Sequence, residues 1–158
     1  MRKTRSQAAV PAVGEGKRGE QGHIGYLLRQ AGATHRLRME RALADLAVTL
    51  PQFSVLTMLV AYPGASGADL ARLSLLTPQT MSVIVSNLER NGAVLRRPHE
   101  VHGRIQHIEV TAAGRRLLAK CRARVKAVEE DLLAGISRGD EQMIRRWLVK
   151  VALHDCAV

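Results

Sequence analysis

The stretch of residues 77–92 constrains the fold more than any other part of the chain. Its apolar residues follow the spacing i, i+3, i+4 and i+7, and they are Met81, Ile84, Val85 and Leu88. This spacing predicts a helix that buries one face. Thr77 can cap the helix, Pro78 suits its first turn, and Asn91-Gly92 tolerates the left-handed backbone that ends it.

Directly after this helix, the spacing of apolar residues changes from helical to alternating. Alternating residues predict two strands, at residues 93–97 and 105–110, joined by a loop at 99–103. In the second strand we expect Ile108 and Val110 to face inward and His107 and Glu109 to face outward. The pair of strands therefore reads as a β-hairpin.

Two shorter helices are predicted before residue 77. The first begins at Pro51, buries Phe53, Leu56, Leu59 and Val60, and stops at Pro63-Gly64. The second begins at Ser66 or Gly67 and ends near Leu75, with Leu70, Ala71 and Leu73 packed. Three short helices followed by a hairpin are the layout of a winged helix-turn-helix.

Three longer helices flank this lobe. An amphipathic helix is predicted from Ile24 to Leu46, another from Thr111 to about Leu133, and a last one starting at Gly139 or Asp140. Their apolar stripes exceed what a compact lobe of about 75 residues can cover. We expect Trp147, Leu148 and Val151 to lie in an interface with a second copy rather than in a ligand site.

The predicted fold class is therefore mainly α with a small β-hairpin wing, a winged helix-turn-helix lobe plus a helical dimerisation region. The expected divisions are a flexible basic arm at residues 1–22, a dimerisation region at 23–50 and 112–158, and a DNA-binding lobe at 51–111. The arm lacks the apolar core of a secretion signal. Two cysteines make no disulfide framework, and we expect a cytoplasmic protein.

The charge favours a polyanionic partner. The 158 residues carry a net charge of +10, and residues 90–126 hold ten Lys and Arg against two Glu. Only four aromatic residues are present, so a platform that stacks unpaired bases is hard to build. Double-stranded DNA is the expected partner, although a merely soluble basic helix would carry similar charge.

The outer face of the helix at residues 77–91 offers hydrogen-bonding groups of the kind that read DNA. Gln and Asn can bind adenine edges, Ser and Thr can bind phosphates or bases, and an exposed Val can touch a thymine methyl group. The candidate DNA-binding residues, including three on the hairpin, are Thr77, Gln79, Thr80, Ser82, Val83, Ser86, Asn87, Arg90, Arg97, His102 and Arg104. An ordinary solvated helix face is the competing interpretation.

Other chemistry has little support in the sequence. No Gly-rich phosphate loop and no HExxH or GxSxG motif occurs, so we expect neither an enzyme nor a cofactor. His99, His102 and His107 are spaced too unevenly for a structural metal site, and no metal is expected. We expect Cys121 to be buried rather than redox-active, while no role is assigned to Cys156.

The chain resembles the MarR family of transcriptional regulators from about residue 23 to residue 152. The resemblance rests on LPQF, on TPQTMSVIVSNLERNG, on the double arginine of VLRRP, and on GR followed by a strand ending in VTAAG. It implies a symmetric homodimer on a palindromic operator, with Arg104 as the wing arginine in the minor groove. The chain departs from the family pattern at His102, where an aspartate is usual, and at Val83, where an arginine is frequent.

The resemblance also implies a pocket for a small aromatic carboxylate or phenol. The candidate ligand-binding residues are His23, Tyr26, Gln30, Thr34, His35, Arg38 and Phe53. Cationic groups beside an aromatic surface suit such a ligand. The alternative is that these are boundary and surface residues.

The predicted function is a sequence-specific transcriptional regulator, most simply a repressor released by a small aromatic ligand. The alternative is an architectural duplex-binding protein that reads backbone and shape without an effector. A dimeric adaptor that binds no DNA is a third possibility.

Overall fold

The computed structural model describes residues 10–98 and 106–153. The chain divides into two compact units, Met1–Arg38 and Met39–Val158. The helices and strands are α1 Ile24–Leu43, α2 Leu50–Ala61, α3 Gly67–Leu73, α4 Pro78–Arg90, β1 Val94–Pro98, β2 Gln106–Val110, α5 Ala112–Leu132 and α6 Arg138–Leu153. This is the mainly α architecture with one hairpin that the sequence predicts.

The first unit contains a short 3₁₀ helix, Gly16–Arg18, within the predicted basic arm. The Arg18 guanidinium donates to the Pro11 carbonyl at 2.8 Å. The long helix α1 ends at Leu43 and a separate 3₁₀ turn, Ala44–Leu46, follows it, so the prediction of one helix to Leu46 is wrong in its last turn. Ala47 closes the segment in the left-handed conformation, with φ 52°.

The expected apolar face of α1 is only partly buried within this chain. Leu43 is fully buried, whereas Ile24 is 64% exposed and Leu37 is 48% exposed. The sequence pattern of an amphipathic helix predicts which side of the helix is apolar. It does not predict which other surface covers that side.

Side-chain caps start the three helices of the lobe. Thr49 and Gln52 form a reciprocal capping box at α2, Ser66 and Asp69 form another at α3, and Thr77 accepts from the Thr80 amide at α4. Each cap satisfies amide groups that the first helical turn leaves unpaired. The caps therefore fix the residue at which each of the three helices begins.

The helix α3 ends two residues earlier than predicted. Leu75 adopts the left-handed backbone with φ 52°, which a helix cannot continue through, and its side chain is 90% exposed. Leu73 was expected to pack inward but is 46% exposed. The sharp turn that joins α3 to α4 takes both residues out of the core.

The hairpin pairs antiparallel, with Val94 opposite Val110. Its second strand also contacts the turn before α3, where the Ile108 amide donates to the Ala65 carbonyl at 3.3 Å. His107 alternates with the buried Ile108 as predicted, but it is half-buried rather than fully exposed, because its ring Nδ1 donates to the Gly64 carbonyl. These bonds hold the base of the wing on the lobe.

The two C-terminal helices follow the hairpin. α6 begins at Arg138, one or two residues before the predicted start, because the Ser137 hydroxyl accepts from the Asp140 amide at 3.2 Å. Within the part of the chain that the structure describes, no residue of α6 is buried. Trp147 is 39% exposed.

Two apolar clusters form in the second unit. The first lies between α2, α3, α4 and the hairpin and contains the four predicted α4 residues, of which the most exposed, Ile84, is only 9% exposed. The second joins Met39 and Leu43 to Cys121, Val125 and Val128 of α5. Phe53 and Leu117 pack against both clusters.

No single helix of the described residues is long and apolar enough to cross a membrane. One sharply bent pair, Ile24–Leu46 with Leu50–Ala61, passes a test of length and composition alone.

The start of α5 is pressed against the hairpin. A Cβ atom added to Gly114 would lie 2.0 Å from the Ala93 carbonyl oxygen, closer than any two such atoms can approach. We expect Gly114→Ala to lower the free energy of unfolding by about 1–3 kcal/mol, the usual cost of overpacking. Urea denaturation measures the loss. Gly139→Ala is the matched control, since its new methyl group meets only the Ser137 hydroxyl at 3.8 Å. Equal stability of the two variants would contradict the close approach.

The cap of α3 makes the free energy of unfolding depend on pH. Hydrogen bonds from the Ser66 hydroxyl and amide, with help from Arg72, lower the pKa of Asp69 from 3.8 to about 2. A lowered folded-state pKa stabilises the protein above about pH 4, and this stabilisation disappears as the pH falls toward 2. We expect Asp69→Asn to be less stable than the parent at pH 7 and equally stable near pH 2, as followed by urea titrations across that range. A difference that stays constant with pH would exclude the carboxylate as its source.

Candidate nucleic-acid interface

The helix α4 presents one polar face to solvent. With Met81, Ile84, Val85 and Leu88 buried, Gln79, Thr80, Ser82, Val83 and Arg90 are exposed, and Ser86 and Asn87 are half-buried. Val83 is 61% exposed although it is apolar. The face carries mostly short hydrogen-bonding groups, which can approach base edges closely.

Two of the predicted contacts also serve the start of the helix. The Thr77 hydroxyl accepts from the Thr80 amide at 3.2 Å, and the two hydroxyl oxygens lie 2.9 Å apart. A hydroxyl has one proton and two lone pairs, so each can still take a further partner from outside. Both residues are exposed at the N-terminal end of α4, where unpaired amides favour an anion such as a phosphate.

Arg96 of β1 connects the hairpin to α4. Its Nη2 donates to the Ser86 hydroxyl at 3.0 Å, and its Nε lies 3.6 Å from a carboxylate oxygen of Glu89. The Arg96 side chain is 31% exposed. Ser86 is therefore engaged within the chain, and Glu89, the one acidic residue of α4, has its charge balanced.

Arg97 points to the other side of the strand. Its Nε donates to Glu109 of β2 at 2.9 Å, and its side chain is 62% exposed. The pair leaves most of the guanidinium accessible. His102 and Arg104, the predicted wing contacts, lie outside the described residues.

A cleft of about 530 Å³ lies between α4 and the hairpin. Its lining includes Ser82 of α4, Arg96 of β1 and Gln106 of β2. The helix and the wing are thus two ridges with a polar depression between them, a shape that matches the alternation of groove and backbone along a duplex.

The predicted ligand-binding residues fall into both units. His23, Gln30 and Thr34 are exposed in the first unit, where Tyr26, His35 and Arg38 are half-buried. The Arg29 guanidinium lies 5.7 Å from the centre of the Tyr26 ring. The other predicted residue, Phe53, belongs to the second unit.

Phe53 lines a shallow cleft against α5. The cleft has a volume of about 550 Å³, and its lining comprises Phe53, Arg122, Ala123, Val125, Lys126 and Glu129. An aromatic ring thus lies beside two cations, Arg122 and Lys126. The prediction paired Phe53 with cationic or hydrogen-bonding residues near residue 30, and it missed those of α5.

Metal and thiol chemistry find no support in the geometry. The described residues contain no group of three His, Cys, Asp or Glu side chains that could hold a metal ion. Cys121 is fully buried, and burial raises the pKa of its thiol, which disfavours the reactive thiolate. Cys156 lies outside the described residues.

Comparisons with known proteins agree with this geometry. The MarR family model matches residues 48–105. The HTH-type transcriptional repressor Rv2887 of Mycobacterium tuberculosis is 38% identical over 128 residues, which span 81% of this chain and 92% of the repressor. The chain belongs to the MarR family.

Solved structures of MarR-family proteins share the fold. The structure of Rv2887 in complex with DNA is 35% identical, covers 82% of this chain and 98% of its own, and has a TM-score of 0.65. CouR from Rhodococcus jostii RHA1, solved with p-coumaroyl-CoA, is 27% identical to this chain and has a TM-score of 0.78. The match covers 84% of this chain and 93% of the CouR chain. This MarR-family chain is therefore a winged helix-turn-helix transcriptional regulator.

Sequence reasoning missed Arg96 of this MarR-family lobe. Adjacent residues of a strand point to opposite faces. One guanidinium of the pair Arg96-Arg97 must therefore point toward the lobe, and this alternation could have identified it from the sequence. What the sequence could not supply is the partner, since Ser86 and Arg96 meet only through the turn after α4.

Arg96 is expected to hold α4 and the wing at a fixed angle for DNA binding. We expect Arg96→Gln to weaken duplex binding about tenfold, the equivalent of one charged hydrogen bond, without changing its salt dependence. Fluorescence anisotropy over a range of salt concentrations measures both quantities. Arg145→Gln is the matched control, because it removes an arginine that is paired with Glu141 within α6 and lies in neither α4 nor the hairpin. A fall of about one in the salt slope for Arg96→Gln would instead mean that Arg96 binds a phosphate.

Proposed function

We propose that the protein is a repressor that binds a palindromic operator as a homodimer and leaves it when a small aromatic carboxylate or phenol binds. The observation that carries the proposal is the exposed polar face of α4, whose opposite face is entirely buried. Rv2887, a repressor, has been solved with DNA and with salicylic acid. A cytoplasmic location follows from the proposed role, because the operator lies there.

Gln79 and Asn87 would read the base sequence of the operator. Amide side chains can bind an adenine edge through two hydrogen bonds, and of these two Gln79 is exposed and Asn87 is half-buried. Val83, between them, would contact a thymine methyl group. Thr77, Thr80, Ser82 and Arg90 would bind phosphates or neighbouring bases, while Arg97, His102 and Arg104 would act from the wing.

The homodimer is supported by the apolar surface of α6. Ile144, Trp147, Leu148 and Val151 are each between 39% and 44% exposed, and they share one side of the helix. Exposed apolar patches of this kind mark an interaction surface, and a self-complementary one yields a two-fold dimer. Such a dimer would set its two α4 helices about 34 Å apart, one turn of DNA.

The effector would bind where an aromatic wall meets cations. The cleft at Phe53 offers both, with Arg122 and Lys126 on α5. His23, Tyr26, Gln30, Thr34, His35 and Arg38 of the first unit stay a separate prediction of ligand contact made from the sequence. An effector that favours a dimer spacing unsuited to the operator would lower the affinity for DNA by shifting the population.

An architectural protein is the second candidate, because residues 112–128 carry basic side chains away from α4. A backbone reader would lose affinity equally on all sequences when α4 is altered.

The decisive experiment compares one operator with unrelated DNA. We expect Gln79→Ala or Asn87→Ala to weaken operator binding by about 1–3 kcal/mol, the worth of a bidentate base contact, and to leave nonspecific binding nearly unchanged. Mobility-shift assays on DNA flanking the protein's own gene provide the operator. Gln142→Ala, which removes an exposed amide side chain from α6 instead of α4, is the matched control. A small and uniform loss on every duplex would favour the architectural function.

A further inference from the structure

Leu75, in the turn between α3 and α4, combines two unfavourable features. Its backbone is left-handed, with φ 52°, a conformation in which the Cβ atom of an L-amino acid crowds the following carbonyl oxygen. Its side chain is also the most exposed of the large apolar side chains in the described residues. The side chain of Leu75 therefore stabilises neither the turn nor the core of the lobe.

The turn itself is of a kind that ordinarily contains glycine. The Leu76 amide donates to the Ala71 carbonyl at 3.0 Å and the Leu75 amide donates to the Arg72 carbonyl at 3.3 Å, which is the pattern of a Schellman motif. The left-handed residue of this motif is usually Gly, because Gly has no Cβ atom to clash. A strained residue that the fold does not need is typical of a functional surface.

Leu75 lines a groove beside α3. The groove has a volume of about 740 Å³, and its lining includes Leu75, Leu76 and Pro78 from the turn and the start of α4, together with His107 from β2. The turn and the hairpin therefore border the same depression.

This groove continues the cleft between α4 and the hairpin. Ser66, Ala68 and Pro78 line both depressions. These residues have small or compact side chains, so they leave room for a backbone to pass. A DNA strand lying in the cleft would thus reach the groove that Leu75 lines.

The charges of the groove suit a phosphate backbone. Asp69, the acidic residue of its lining, pairs with Arg72 and accepts from the Ser66 hydroxyl at 2.6 Å. The Arg72 side chain is 80% exposed, so most of its guanidinium is accessible to a phosphate. An exposed apolar side chain beside an accessible cation matches a nucleotide, which joins the carbon surface of a sugar to an anionic phosphate.

We propose that Leu75 packs on a deoxyribose of the DNA backbone, next to a phosphate held at the start of α4. Leu75 is two residues before Thr77, which caps the end of α4 that favours an anion. Contact with the sugar removes from water the apolar side chain that folding leaves exposed. The inference rests on the proposed reading of DNA by α4 and adds a backbone contact that positions this helix.

Fluorescence anisotropy with the full-length protein tests the contact on the operator and on an unrelated duplex. Leu75→Gly is expected to raise the Kd about tenfold on both, because every sequence has the same sugar. The salt slope is expected to stay unchanged, because no charge is lost. The unfolding temperature is expected to stay the same or rise by a few degrees, because Gly relieves the left-handed strain.

Ala47→Gly is the matched control for the backbone. Ala47 is exposed and has the same φ of 52°, so its replacement by Gly relieves the same strain without removing a large side chain. This variant is expected to bind both duplexes as the parent does. Leu75→Met keeps an apolar side chain on the strained backbone, and its Kd is expected to stay within about twofold of the parent value.

Other results would overturn the inference. Unchanged DNA affinity of Leu75→Gly would exclude the contact, and an equal loss in Ala47→Gly would attribute the effect to the backbone. A lower unfolding temperature of Leu75→Gly would give the side chain a structural role instead. Fewer protomers per particle in sedimentation equilibrium of this variant would assign Leu75 to a contact between copies of the chain.

Failure of the proposed function has a different signature. A parent protein with no preference for an operator would contradict the sequence-specific repressor. A tenfold loss by Leu75→Gly on the unrelated duplex, with about the parent affinity in Leu75→Met, would still support the contact with the sugar.

Discussion

The burial of one side of α4 is the interaction on which the rest of the structure depends. Met81, Ile84, Val85 and Leu88 fill the centre of the lobe, and each such side chain contributes about 1.5–3 kcal/mol when it leaves water. A helix held by four residues of one stripe cannot rotate without exposing them. The polar side of α4 is therefore fixed outward by the same contacts that stabilise the lobe.

The wing is held by polar contacts rather than by a core of its own. Arg96 reaches α4, and the Ile108 amide and His107 ring reach the turn before α3. Among the hairpin residues that the structure describes, 94–98 and 106–110, only Val94 and Ile108 are deeply buried. Orientation of the wing thus depends on a few directional bonds, which makes it more sensitive to single substitutions than the position of α4 is.

Local patterns in the sequence predict most of the lobe. The stripe of α4, the cap at Thr77 and the period of the hairpin depend on neighbouring residues, and all three are confirmed. The end of α3 was misplaced because the left-handed backbone of Leu75 has no residue signature; Gly or Asn would have marked it. The pairing of Arg96 with Ser86 and the meeting of Phe53 with Arg122 could not be predicted, since they join separate elements. The contacts of individual α4 side chains with DNA stay a prediction.

The joint at the base of the wing has a mechanical consequence. The Thr111 hydroxyl donates to the Gly92 carbonyl at 2.7 Å and its amide to the Ala93 carbonyl at 3.0 Å, while Gly114 presses on that same carbonyl. The start of α5, the end of α4 and the residue before β1 are thereby held together at one point. Because α5 is a continuous helix of 21 residues, its N-terminal end is coupled to the hairpin and its C-terminal end lies far from it. We therefore expect a small tilt of its far end to be transmitted to the base of the wing.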